Sequence, residues 1–155
     1  MNETVAQLDA LFEEWREPLE ARALVRFEAG PVPQEPLTPA AKADAFSQLF
    51  GFQPIGFNWE MLDPSYDLSA PRSARNTFVE ALSNDMVETK VRWLGVEPSL
   101  EFAVAFLSAF NSATLSVVTN HLNGLWYPIS GASDEWSFAA MDDEAIALLV
   151  LVPRA

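Results

Sequence analysis

His121 is the only histidine in the chain, and there is no cysteine. Counting alone removes His-pair metal sites, thiolate catalysis, disulfides and cysteine-type zinc sites. A Ser-His-Asp arrangement would have to use His121, and no G-x-S-x-G elbow supplies its nucleophile. Neither G-x-x-x-x-G-K-[ST] nor G-x-G-x-x-G occurs, and six glycines in all leave little material for a phosphate-cradling loop. Beside the dipeptide Asn123-Gly124, His121 reads as a polar turn residue rather than a catalytic base.

What remains is a set of carboxylates and aromatics near the C-terminus. Asp134, Glu135, Asp142, Asp143 and Glu144 flank two expected hairpin ends. A hard cation needs several oxygens converging on one point. Consecutive turns of a meander lie at opposite ends of the sheet, and the calcium-loop pattern D-x-[DN]-x-[DN]-G is missing, so neither metal nor cofactor is expected. A glycosidase-type pair needs two carboxylates at a fixed separation in a cleft, and nothing selects two from the 22 present. The aromatics Trp126, Tyr127 and Trp136 stand beside these acids, and Trp and Tyr are frequent interface anchors. Trp126, Tyr127, Asp134, Glu135, Trp136, Asp142, Asp143 and Glu144 therefore form the expected partner-binding set. The competing role for the aromatics is packing on a sheet face, since aromatic residues favour strands.

Charge distribution indicates the kind of partner. The chain carries 22 acids against 9 bases, a formal charge of -13. No Lys or Arg lies between Arg92 and Arg154, while that interval holds seven carboxylates. These must be solvated, paired with bases of the N-terminal half, or matched from outside. Such acidity opposes nucleic-acid binding, which rests on Lys and Arg neutralising phosphates, and opposes docking on an anionic membrane. A basic protein is the electrostatic complement. No run of ~18 apolar residues suggests a membrane span, and the polar start Asn2-Glu3-Thr4 is unlike a secretory signal. With the lack of cysteine, this predicts a cytoplasmic location.

The elements that must position these residues follow from periodicity. The 155 residues are expected to form a single domain with one sizeable core. Val5, Leu8, Leu11, Phe12 and Trp15 predict a helix over 3–17, interrupted by Pro18, with a second short helix over 19–24. Residues 30–39, with four prolines, read as an extended connector. Thr38-Pro39 predicts the cap and first turn of a helix running to Phe50 and stopped by Gly51. A short strand is expected near 55–61. Ser69-Ala70-Pro71 predicts a helix to Leu82. Arg72 and Arg75 at its start oppose the helix dipole, so carboxylates from elsewhere are expected to hold them. The alternation Val87, Val91, Trp93 predicts a strand over 87–93. Residues 98–111 predict a strongly apolar, central helix. Strands are then expected over 114–119, 125–129, 135–141 and 145–152, with Asn123-Gly124 as a hairpin turn. The fold class is α+β: N-terminal helices and a central apolar helix packed on a mostly antiparallel C-terminal sheet.

In size, acidity and α+β layout the chain resembles the small acidic immunity proteins of bacterial toxin systems. The resemblance is one of whole-chain character and transfers no residue roles. It implies a protein-binding inhibitor, without enzymatic activity, that occludes the active site of a cognate basic toxin. A secretion chaperone or adaptor for a client effector shares the same character. A third alternative is a small enzyme using carboxylates in an aromatic pocket lined by Trp59, Trp93 or Trp126.

Overall fold

A computed structural model describes residues 2–154. Four helices and seven strands follow the order α1 (Glu3–Glu20), β1 (Ala23–Pro31), α2 (Pro39–Gln48), β2 (Glu60–Leu62), α3 (Ala74–Leu82), α4 (Val96–Ser108), β3 (Ser116–Thr119), β4 (His121–Leu122), β5 (Leu125–Trp126), β6 (Trp136–Met141) and β7 (Ala145–Pro153). The main sheet has the order β1-β7-β6-β3-β2, with every neighbouring pair antiparallel. β4 and β5 form a separate hairpin. This is the expected α+β class. Among the described residues no helix is long and apolar enough to cross a membrane.

The sheet is buried on both faces, and the side chains of β7 explain why. Ala145, Ala147, Leu149 and Leu151 face one core, while Ile146, Leu148 and Val150 face the other. A strand covered on both sides needs a continuous apolar run rather than an alternating one, and β7 has it. On the first face lie α1, α3 and α4. Their Phe78, Phe102 and Phe106 rings pack together, and Phe78 stacks on Phe138 of β6 at 4.0 Å between centroids. On the second face lies α2, through Ala43 and Phe46, with Trp59 and Ile129 beside it.

Local chemistry sets the helix starts. Asn2, Thr38 and Ser73 each accept a backbone N–H of the first turn of α1, α2 and α3, filling donors that a helix N-terminus leaves open. The third cap moves the start of α3 from the expected Ser69 to Ala74. α1 runs through Pro18 instead of breaking there. Its last carbonyls are taken up from elsewhere: Trp93 Nε1 donates to the Pro18 carbonyl at 2.9 Å, and Arg154 Nε to that of Glu20 at 2.8 Å.

Four expectations are corrected. Residues 19–24 do not form a second helix, since Leu19 and Glu20 end α1 and β1 begins at Ala23, and 30–31 are not part of a connector. Val25, Phe27 and Ala29 instead pack inward from β1, which pairs along its whole length with β7. Residues 55–61 hold a 3-10 turn at Gly56–Asn58 before the short β2. Residues 87–93 are not a strand. The Asp85 carboxylate accepts the N–H groups of Val87 and Glu88, Val91 donates back to Glu88, and only an isolated bridge joins Asn84 to Arg92. The alternation there has no sheet to face, and Val87 is exposed.

These placements separate two substitutions that look alike in sequence. Phe138→Ala is expected to lower stability by about 3–5 kcal/mol through the cavity it leaves against Phe78. Val87→Ala should stay within about 0.5 kcal/mol of the parent. Urea denaturation of both variants measures the difference, and comparable losses would contradict the assignment of 87–93 to the surface.

Candidate functional site

The expected partner-binding residues divide between the two ends of β6, which are roughly 17–20 Å apart for a strand of that length. At one end are Trp126, Tyr127, Asp134, Glu135 and Trp136. At the other are Asp142, Asp143 and Glu144, in the turn to β7. The eight residues thus do not form one face. Three of them are buried: Glu135 and Asp142 offer no exposed carboxylate, and Trp136 shows only a small part of its indole.

Glu135 is 1% exposed and has no cation beside it among the described residues. Its carboxylate accepts instead from the Ile129 and Ser130 N–H groups, at 3.0 and 2.9 Å, from Asn120 Nδ2 at 3.2 Å, and from Ser137 Oγ. Asn120 extends this network: its Oδ1 accepts the Ser137 N–H, and its Nδ2 also reaches the Tyr127 carbonyl. Asp142, 6% exposed, does the same work at the opposite end. It accepts the N–H groups of Asn111, Glu144 and Ala145 at 2.8–2.9 Å. Burial pushes its carboxyl up, but these N–H donors outweigh the burial and hold it below its ordinary value.

The seven carboxylates of the base-free segment therefore have two fates. Glu135 and Asp142 are satisfied internally by dipoles. Glu97, Glu101, Asp134, Asp143 and Glu144 lie at least partly exposed, and none is in an ion pair among the described residues. The ion pairs among the described residues all use acids that precede the base-free segment: Glu13, Glu20, Glu28, Glu60 and Asp85.

The β4–β5 hairpin projects from the Glu135 network. Asn123 and Gly124 both have positive φ, 52° and 79°, as a two-residue hairpin turn of the primed kind requires. Trp126, 43% exposed, is fixed by donating Nε1–H to the Ser133 carbonyl at 2.6 Å. His121 faces it across the hairpin and stacks on Trp136 at 3.4 Å and 5°. Trp136 continues onto Phe138, and Phe138 onto Phe78. A column of rings thus runs from the exposed hairpin into the first core. Nε2 of His121 lies 2.8 Å from the Glu135 carbonyl, so Nε2 carries the hydrogen and Nδ1 is the free base nitrogen. Burial lowers the His121 pKa, partly offset by that hydrogen bond and by the Glu135 charge.

Under the hairpin is a cleft of about 230 Å³, lined in part by Glu60, Arg72, Glu80, His121 and Trp136. Arg72 has φ 60°, an uncommon conformation for a residue with a Cβ. It is held by the Asp63 N–H on its carbonyl at 2.8 Å and by an ion pair with Glu60 at 2.9 Å. Glu80 is exposed and has no cationic partner among the described residues. None of the tryptophans expected in a pocket lines this cleft: Trp59 is buried in the second core, Trp93 caps α1, and Trp126 is held on the outside of the hairpin by Ser133, whereas Trp136 does line it.

Phe57 has no signal in the sequence, and Arg75 departs from what the sequence predicts for it. Phe57 is 99% exposed at the tip of the 3-10 turn. The turn is clamped by Asp44, whose carboxylate accepts Ile55 N–H, Gly56 N–H and Trp59 Nε1–H at 2.7–2.9 Å. Gln53 ties this loop to Pro128 and Ile129. Because Glu60 pairs with Thr119, Phe57 stands at the same end of the sheet as the hairpin and Asp134. The other residue is Arg75. Arg72 has the carboxylate expected of it, but Arg75 has none among the described residues. Among the described residues, no three His, Asp or Glu side chains converge as a metal ion requires.

Comparison with known protein families, with characterised proteins and with solved structures finds no match.

Removing the Glu135 carboxylate strands buried donors. Glu135→Ala is expected to cost about 2–4 kcal/mol, with Glu135→Gln losing less; equal stability of Glu135→Ala and the parent in urea would refute the network's role. A lowered histidine pKa means the unfolded chain binds the proton more tightly. Stability should therefore be level above the ordinary histidine value of about 6.5 and fall as pH drops below it. His121→Gln should flatten that step while leaving the separate loss below about pH 4, where Asp142 takes up its proton. Stability that rises as pH drops from 7 to 5 would contradict the sign.

Proposed function

We propose that the chain is a protein-binding inhibitor whose partner is a basic protein, as an immunity protein is to its toxin in the cytoplasm of a bacterium. The observation that carries this reading is the makeup of one end of the sheet. Two aromatic side chains, Phe57 and Trp126, are held out to solvent on loops braced by the half-buried Asp44 and the buried Glu135 carboxylates. Leu125 is exposed beside them, and Asp134 and Glu80 lie at the same end without cationic partners.

Rigid aromatic anchors lose little freedom on binding, and such residues carry a large share of interface energy. Unpaired carboxylates around them favour a partner presenting Lys and Arg, raising the encounter rate and excluding acidic competitors. The cleft between Glu60, Glu80 and Trp136 has room for one long cationic side chain. Its aliphatic stem would lie against the indole and its head group beside Glu80.

The test begins with capture of partners by the tagged full chain from lysate of its source, washed at low and high salt. A dominant basic protein is expected. Its affinity for Trp126→Ala should fall by about 30-fold or more, and Glu80→Lys combined with Asp134→Lys should weaken binding and reduce its salt dependence. Asp143→Lys, at the far end of β6, should change little. Undiminished affinity in Trp126→Ala and in the double charge variant would overturn this assignment. Capture of an unfolded secreted client would support a chaperone instead.

A further inference from the structure

Arg75 is the only base buried among the described residues, at 6% exposure, and it is the one arginine whose burial is matched by no acceptor. Its Nε has no hydrogen-bond partner, and no carboxylate lies within ion-pair distance of it among the described residues. In a chain with more than twice as many acids as bases, leaving a buried cation unpaired runs against the usual rule that buried charge is paired.

The surroundings of the guanidinium have the form of a binding site. Its carbon sits 3.7 Å over the Tyr66 ring. Stacking covers a face of the planar group and leaves its in-plane N–H edge for an acceptor. Arg75 borders a cavity of about 160 Å³, the volume of about five liquid waters. Leu107, Phe110 and Leu115 give that cavity apolar walls, and Ser108 and Ser112 add hydroxyls. The site is distinct from the cleft under the hairpin, with which it shares no lining residue.

We propose that this cavity binds a small monocarboxylate, its two oxygens on the Arg75 guanidinium and its short apolar tail between Leu107, Phe110 and Leu115. A bidentate carboxylate on the terminal N–H groups of the guanidinium meets its charge with two parallel hydrogen bonds. A single negative charge is favoured over a phosphate dianion. Arg75 supplies one positive charge, and the C-terminal end of α4, at Leu107 and Ser108, adds the negative pole of a helix.

The test is a nuclear magnetic resonance titration of the full chain with acetate, propionate and butyrate, and separately with inorganic phosphate and chloride at matched ionic strength. Saturable shifts are expected at Arg75 Nε–H and at the amides of Tyr66, Ser108 and Ser112. Affinity should rise by about fourfold per added methylene. Arg75→Gln should weaken butyrate binding by about tenfold or more. Ser112→Leu, a surface change that narrows the cavity and retains Arg75, should also weaken it, and carries the test if Arg75→Gln fails to fold. Equal shifts with chloride, tighter binding of phosphate than of butyrate, or unaltered binding in both variants would overturn the proposal.

Discussion

A buried carboxylate without a cation must be met by hydrogen-bond donors, or the fold that buries it will not form. Glu135 is in that position, and its four donors come from three separate stretches of chain: Asn120 at the exit of β3, Ile129 and Ser130 in the loop after the hairpin, and Ser137 in β6. Joining them shapes the whole end of the sheet. The 127–135 loop has little regular structure of its own, yet it is held to the β3 and β6 strand ends by this one side chain. The β4–β5 hairpin then has a fixed base, His121 can stack flat on Trp136, and Trp126 meets Ser133 at hydrogen-bonding distance. Asp44 does the equivalent for the neighbouring turn that displays Phe57.

The scarcity of bases thus has structural as well as electrostatic consequences. Where Lys and Arg are absent, acids that enter the interior are answered by backbone N–H groups and amide or hydroxyl side chains, which are directional and so fix loop geometry. Acids that stay outside keep their charge uncompensated and project a field toward solvent. Fixed, exposed aromatics and unpaired surface carboxylates at the same end of the sheet are two outcomes of one compositional bias. Preorganisation lowers the ordering cost of association, while the field governs which partners approach.

Much of the framework was legible because it depends on neighbours in sequence. Thr38-Pro39 marks a helix start, Asn123-Gly124 a hairpin, and the unbroken apolar run of 145–152 a strand covered on both faces. β1 was missed because Ala23, Leu24, Arg26 and Ala29 suit a helix by propensity, and only the long-range pairing with β7 overrides them. Residues 87–93 mislead in the opposite sense: their alternation is real, but Asp85 folds them into a turn first. Within the candidate site, Trp126 and Asp134 were identifiable by type. That Glu135 and Asp142 point inward was not, since their donors lie on distant segments such as Asn120 and Asn111. Phe57 was hidden for the same reason. Its exposure follows from a clamp by Asp44, a residue of the preceding helix.

The central claim is that the hairpin end of the sheet, ordered by Glu135, is the face that meets a partner. Amide hydrogen exchange of the full chain, alone and saturated with its captured basic partner, tests this most directly. Added protection concentrated at 55–60 and 121–135, with the 142–144 turn unchanged, is the predicted footprint. Protection centred on the 142–144 turn or on the outer faces of α1 and α4, with the hairpin exchanging as in the free chain, would contradict it.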